Sequence, residues 1–249
     1  MIALDVAIKD KYYANSDLVV LKEIQFSVKP GEFVAIIGPS GSGKTTLLNM
    51  ISGLEEATEQ TLLCNGKPLN GGKAFPLGYV FQQPRLMPWL TVNENIQLVL
   101  PTTQETIIKT LLAQVGLAGK GDYYPKQLSG GMQRRVAIAR AFAVNPELIL
   151  LDEPFNSLDA PTAATLRLLL ADLCKSRGST VVFVTHDLSE AINLADRIIF
   201  MSHSPSSIIH QTTVDLPKPR TESGSNELAW QAKLMNQYPQ ILSGSLCTD

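Results

Sequence analysis

The chain has 249 residues and a formal net charge of −2, enough length to bury a substantial core as one large α/β domain or two small ones. Near-neutrality speaks against nucleic acid as the main partner, because a nucleic-acid binder more often carries a strongly basic face. The three cysteines, Cys64, Cys174 and Cys247, stand far apart, form no metal-type pair and read as reduced thiols of a cytosolic protein.

The first residues, Met1 to Val6, alternate apolar with small or polar side chains and lack the basic start and continuous apolar run of a secretory leader. No stretch approaches the ~18 apolar residues of a spanning helix, so work at a membrane would need another subunit to hold the chain there. Ile2, Leu4, Val6 and Ile8 alternate as a half-buried strand requires. Beyond the polar turn Ala14-Asn15-Ser16-Asp17, a second alternating stretch carries Ile24, Phe26 and Val28. Together the two predict an antiparallel sheet.

From Phe33 to Ile37 the run is continuously apolar, and the segment Gly38-Pro39-Ser40-Gly41-Ser42-Gly43-Lys44-Thr45 follows, then a helical stretch through Thr46 to Ile51. Strand, glycine-rich loop and helix make a phosphate-binding unit. The glycines let consecutive backbone N–H groups face a nucleotide's phosphates without an intervening Cβ. The helix adds its N-terminal partial positive charge. Lys44 is expected to neutralise the β- and γ-phosphates of ATP, and the Thr45 hydroxyl to ligate Mg²⁺; Thr46 is counted with the nucleotide contacts.

Between residues 84 and 144 the sheet signal gives way to helical patterns at 105–115 and 132–143. Short apolar runs return at 148–151, 181–184 and 198–201, separated by helix-like segments such as 162–175, as in a parallel sheet covered on both faces. The expected fold class is α/β: a P-loop NTPase core with a mostly parallel sheet, an N-terminal antiparallel β-subdomain and an inserted α-helical subdomain. Residues 1–84 and 145–201 would form the nucleotide-binding core with its β-subdomain, and 85–144 the helical subdomain. The last stretch, 202–249, is rich in Ser, Pro and Thr and reads as a peripheral tail.

Two further elements bear on chemistry. Leu148-Ile149-Leu150-Leu151-Asp152-Glu153 is an apolar strand ending in two acids, which places both carboxylates at the edge where α/β sheets bind ligands. Asp152 suits Mg²⁺, directly or through water, and Glu153 suits polarisation of the attacking water. Leu128-Ser129-Gly130-Gly131 opens a helix and forms a second anion-binding helix start. With the first loop already satisfying one nucleotide, this second cradle is expected to serve a nucleotide on another subunit; a plain Ser cap would leave the two glycines unexplained.

The order of the phosphate loop, Phe81-Gln82, Leu128-Ser129-Gly130-Gly131, Leu150-Leu151-Asp152-Glu153, Ser157-Leu158-Asp159 and Thr185-His186-Asp187 resembles the ATP-binding cassette family over nearly the whole chain. The resemblance implies a head-to-tail dimer that holds two ATP between facing phosphate loops and signature motifs, here Leu128 to Gly131 at the start of a helix. It implies that Gln82 contacts Mg²⁺ or the lytic water and reports to membrane subunits, that His186 contacts the γ-phosphate, and that Asp159 couples the two sites. His186 also follows an apolar strand, at the ligand edge of the sheet. The family places a stacking aromatic after the first strand, and Tyr13 is favoured for adenine over Tyr12. One position departs from the family's pattern: Arg134 stands where glutamine is usual, and it either adds a phosphate contact or, as expected, faces solvent.

Residues Gln82 to Val92 resemble the segment by which importer ATPases of the nitrate, sulfonate and taurine group receive the membrane subunit, and Val214 to Arg220 resemble that group's ending. The implied partners are transmembrane permease subunits, a second ATPase subunit (the same chain or a similar one) and, indirectly, a solute-binding protein, with no nucleic acid. The expected location is the cytoplasmic face of the inner membrane, peripheral through the permease. A soluble cassette ATPase of DNA repair or translation is the alternative; it would usually carry a long coiled-coil insertion or tandem cassettes. An inactive subunit is disfavoured by the presence of both Glu153 and His186.

Overall fold

The computed structural model describes residues 1–12, 18–56, 59–69, 75–221 and 224–246. In chain order the elements are β1 (Leu4–Tyr12), β2 (Val19–Val28), β3 (Phe33–Ile37), α1 (Lys44–Ser52), β4 (Glu59–Cys64), β5 (Lys67–Pro68), β6 (Leu77–Val80), α2 (Val92–Gln97) and α3 (Glu105–Gln114). They continue with α4 (Gly130–Ala143), β7 (Leu148–Asp152), α5 (Ala160–Arg177), β8 (Thr180–Thr185), α6 (Leu188–Leu194), β9 (Arg197–Met201), β10 (Ile208–Thr213) and α7 (Ser225–Gln237). The chain divides into two compact units, Met1–Ala74 with Thr180–Asp249, and Phe75–Ser179.

In the first unit, β1 pairs antiparallel with β2 and with β4, and β4 with β5. The register sets Leu4 opposite Val28, Val6 opposite Phe26 and Ile8 opposite Ile24, and all six are buried. A period of two therefore puts the whole apolar set of both strands on one face. A second group of strands is built on β3, which runs parallel to β8 on one side and β9 on the other. All five residues of β3 and all six of β8 are buried, which explains why both read as unbroken apolar runs rather than alternations.

The segment after Ser202 is part of this unit's framework. β10 pairs antiparallel with β9, where the free edge of β9 offers unpaired backbone groups. The Ser206 backbone bonds to Val20 and Lys22 of β2, and α7 packs against α6.

In the second unit, β6 and β7 pair in parallel, while α2 and α3 both pack on α4. Close approach at β6 depends on Gly78, where a Cβ would lie 2.5 Å from the Ala141 carbonyl oxygen of α4. α2 begins with a reciprocal cap, in which Thr91 accepts from the Glu94 N–H while the Glu94 carboxylate accepts from the Thr91 N–H. α5 begins at Asp159, whose carboxylate accepts from the Thr162 N–H at 3.0 Å. It ends at Gly178 in the left-handed conformation, with Lys175 and Arg177 in the last turn, as the helix dipole favours. No helix among the described residues is long and apolar enough to cross a membrane.

Candidate functional site

The phosphate loop leaves the end of β3 in the first unit. Gly41 and Gly43 have φ of 78° and 79°, the left-handed region that only glycine enters without strain. At Gly43 a Cβ would also lie 2.8 Å from Leu21 and 2.9 Å from Val20, whereas at Gly41 it would meet nothing within 4 Å. One glycine is needed for the turn and its packing, the other for the turn alone. α1 starts without a side-chain cap, so the partial positive charge of its first turn is left to a bound anion. The Lys44 ammonium curls into the loop and donates to the Gly38 and Pro39 carbonyls at 2.8 and 2.9 Å. Gly38, Ser42 and Thr46 are buried, while Ser40, Gly41 and Thr45 are exposed and Pro39 and Gly43 lie between.

His186 is brought to the same end of the same unit. The register of β3 with β8 sets Ile37 opposite Thr185, so Gly38 and His186 leave adjacent strands together. The turn carrying the exposed His186 is fixed from both sides. The Thr185 hydroxyl donates to Glu190 at 2.6 Å and accepts from the Asp187 N–H at 3.0 Å. Asp187 in turn caps α6 through the Ser189 and Glu190 N–H groups. Tyr13, expected at adenine, lies outside the described residues; Tyr12 is exposed.

The remaining predicted residues belong to the second unit. β6 and β7 are in register with Val80 opposite Leu151, so the segments carrying Gln82 and Glu153 leave the same end. The Gln82 side-chain amide donates to Glu153 Oε2 at 3.4 Å, and the Asn156 amide donates to the same oxygen at 2.9 Å. Glu153 has a φ of 42° and Ser157 one of 64°, conformations costly for residues with a Cβ and characteristic of functional turns. Asp152, the last residue of β7, is 3 % exposed.

Ser129 caps α4 by accepting from the Met132 N–H at 3.3 Å. Gln133, which the sequence did not single out, holds the approach to that cap by donating to the Pro125 and Leu128 carbonyls at 3.0 and 3.2 Å. A Cβ on Gly131 would lie 3.1 Å from Thr162, so the starts of α4 and α5 are adjacent. Ser129, Gly130 and Asp159 are all exposed, and the Thr162 bond holds the Asp159 carboxyl below the usual aspartate range.

Arg134 corrects an expectation. Instead of facing solvent it is 7 % exposed, donating from Nη1 to the Gln82 carbonyl at 2.5 Å and from Nη2 to the Asn156 carbonyl at 3.2 Å. α4 is buried through most of this stretch, with Val136, Ala137, Ile138 and Ala139 also covered, so the guanidinium is spent on main-chain carbonyls and not on solvent.

The segment 84–92 is pinned by two residues also missed in the sequence. Asn95, fully buried, accepts from the Met87 N–H at 2.8 Å and donates to the Met87, Leu90 and Thr91 carbonyls. Arg140 donates to the Pro84 and Arg85 carbonyls, both at 2.9 Å. Trp89 is left 69 % exposed. Arg85 and Met87 of the same segment line a groove of about 390 Å³ together with Tyr79, Phe81, Leu98 and Val99, among others. The single signal available in the sequence was a polar Asn95 at an otherwise apolar helix position.

A phosphate loop with an uncapped helix, a carboxylate held at a strand's end and a second glycine-opened helix are the parts of a nucleotide-driven cassette. The chain belongs to the ABC transporter family, whose profile matches residues 21–156. It is 39% identical over 233 residues to the aliphatic sulfonates import ATP-binding protein SsuB of Bacillus cereus, covering 92% of each chain. It is 41% identical over 233 residues, 90% of its length, to the nitrate import ATP-binding protein NrtC of Synechococcus elongatus, and spans 35% of that protein. Its fold matches, with a TM-score of 0.75 and 34% identity, a dimeric post-hydrolysis ATP-binding cassette bound to ADP and Pi, over 87% of this chain and 100% of that one.

Proposed function

We propose that the chain binds and hydrolyses ATP as the cassette subunit of an importer, and that the imported solute is a small anion of the nitrate or sulfonate kind. The observation that carries the hydrolytic reading is the Glu153 carboxylate, held by Gln82 and Asn156 in a left-handed turn at the end of a fully buried strand. Such a carboxylate accepts a proton from an attacking water and keeps its orientation without paying for it at the moment of reaction. Lys44 and the backbone of residues 38–45 would neutralise and orient the phosphates, with Thr46 beside them and Tyr13 under the adenine. His186 would contact the γ-phosphate.

Mg²⁺ takes hard oxygen donors, and the threonine hydroxyl, amide oxygen and carboxylate proposed for it are of that kind. Thr45, Gln82 and Asp152 would hold it, and it would supply neutralisation of phosphate charge. With its N–H₂ directed at Glu153, Gln82 keeps its amide oxygen for that role.

The cassette acts with a second copy or a similar subunit, each supplying Ser129, Gly130 and Gly131 to the other's ATP, with Asp159 coupling the two sites. The segment Gln82 to Val92, with its exposed Trp89, receives a permease subunit, which holds the chain at the cytoplasmic face of the membrane; a solute-binding protein delivers cargo to the other side. We assign the whole chain to one nucleotide-binding domain. The relatives' import function supports this reading over a soluble ATPase. ATP does work here because it favours the closed pair over the open one.

The test is Glu153→Gln. ATP affinity is expected to persist while turnover falls by about a thousandfold, with an ATP-bound dimer accumulating on size-exclusion chromatography. Normal hydrolysis by this variant would remove Glu153 from the mechanism. Uptake of radiolabelled nitrate, taurine and alkanesulfonates in a strain lacking the chain identifies the solute.

A further inference from the structure

Gln82 and Glu153 sit on different loops, 71 residues apart in sequence, and their mutual contact at 3.4 Å is too long to hold two loops in register. The turn after β7 also stores left-handed conformations at Glu153 and Ser157, which persist only where neighbouring structure over-determines them. The Asn156 amide braces Glu153 from within the same turn. It therefore fixes the shape of the turn and not its place relative to Gln82.

We propose that Arg134 is a positioning residue, tying the Gln82 loop and the Glu153 turn to the signature helix α4 and so setting the geometry of the Gln82–Glu153 pair. Its two terminal nitrogens reach one main-chain carbonyl on each loop, that of Gln82 and that of Asn156. Because the guanidinium is planar and rigid, the spacing of the two carbonyls is fixed by a single group. Both acceptors are backbone atoms, so the tie acts on the loops themselves and not on a side chain that could rotate away.

A cation in this position is costly as mere filling. It is 7 % exposed, its Nε has no partner and burial pushes its pKa down, yet its donors are spent on the two loops that carry the candidate hydrolytic pair. Arg134 also stands in the same helix as the Ser129 cap, five residues on. A displacement of the helix start by a nucleotide held there is thereby transmitted to the pair within the same subunit. The inference rests on the reading of Glu153 as the hydrolytic group.

Full-length protein carrying Arg134→Gln, Arg134→Lys, Gln82→Ala or Arg134→Gln with Gln82→Ala separates the possibilities. A glutamine is shorter, carries no charge and offers both N–H donors from one nitrogen, so it loses the guanidinium's fixed two-nitrogen reach; a lysine keeps the charge and loses the fork. Arg134→Gln is expected to lower kcat between about tenfold and a hundredfold with KM for ATP within about twofold, and Arg134→Lys to fall in between. In the Gln82→Ala background the further loss should be under about twofold, because both changes act on one pair. Amide hydrogen exchange should quicken at residues 82–86 and 153–158 while the interior of α4 stays protected.

Unchanged exchange at both loops overturns the tie. So does a kcat loss that multiplies in full on Gln82→Ala, or exchange that quickens throughout α4 in both the glutamine and the lysine variants, which marks a purely structural arginine. A wild-type chain without ATPase activity would instead sink the reading of Glu153, and the exchange experiment would still decide the tie.

Discussion

Replacing Arg220 by methionine removes five hydrogen bonds while keeping much of the aliphatic stem. The guanidinium is 6 % exposed and donates to the carbonyls of Ile192 and Ala195 at 2.8 and 2.6 Å, of Val214 at 2.9 Å, and of Leu216 at 3.0 and 2.7 Å. Val214 keeps a second donor in the Leu216 N–H, and Leu216 is only half-buried. Ile192 and Ala195, at 1 % and 0 % exposure, are left with carbonyls at the end of α6 that have lost their charged donor.

Each orphaned acceptor costs about 1–3 kcal/mol, and the desolvation of the cation that is no longer needed offsets part of this, leaving ~2–4 kcal/mol. At roughly 2–4 °C per kcal/mol for a chain of this size, a 3 kcal/mol loss lowers Tm by about 6–12 °C. Thermal melting followed by circular dichroism reads the shift. Limited proteolysis should cut first within 214–246, since that segment loses its anchor to α6. A Tm change under about 2 °C would refute the reasoning, because it would mean that the carbonyls find other partners at no cost. The consequence for function is that α6, whose start follows His186, is held at its far end by Arg220.

Ser129→Arg places a bulky cation at the exposed start of α4 and removes a cap worth about 1 kcal/mol. ATP binding by the monomer should persist while ATP-driven dimerisation is lost, as read by light scattering with Glu153→Gln as the background; loss of both would indicate misfolding. His210 lies between Phe200 and Tyr238, and burial holds its pKa below the ordinary 6.5. The unfolded chain therefore takes up the proton first, so its contribution to stability is present above about 6.5 and is lost as pH falls from there through the lower folded value. His210→Phe should flatten the dependence of Tm on pH across this window, and an unchanged slope would assign it to other groups.

Elements with a short-range cause were legible in the sequence. Residues 33–37 form β3 with the expected bounds, and the alternation in β1 and β2 fixes which face is buried. The phosphate loop is contiguous, so the residues that must turn and the residues that must bind are neighbours in the chain. Signature helix and acidic strand end fall within two residues of their expected positions. The segment after Ser202 was not legible. Its strand β10 shows no clear apolar alternation, with burial set mainly by β9 alongside it, and composition rich in Ser, Pro and Thr reads as a tail whether or not an edge is available to pair with.

Charged residues divide along the same line. Lys44, Asp152, Glu153 and His186 could be assigned roles from the sequence because each follows a strand or loop that places it at the ligand edge. Arg134 and Arg220 could not, since nothing local distinguishes a buried arginine from an exposed one. Their burial comes from backbone carbonyls supplied 22–52 and 4–28 residues away. The sequence by itself determined the strand faces, the phosphate loop and the family of chemistry. Only the tertiary structure decided which carbonyls meet which guanidinium, and thereby how the two loops bearing Gln82 and Glu153 are held, because hydrogen-bond partners distant in the chain are chosen by packing and not by periodicity.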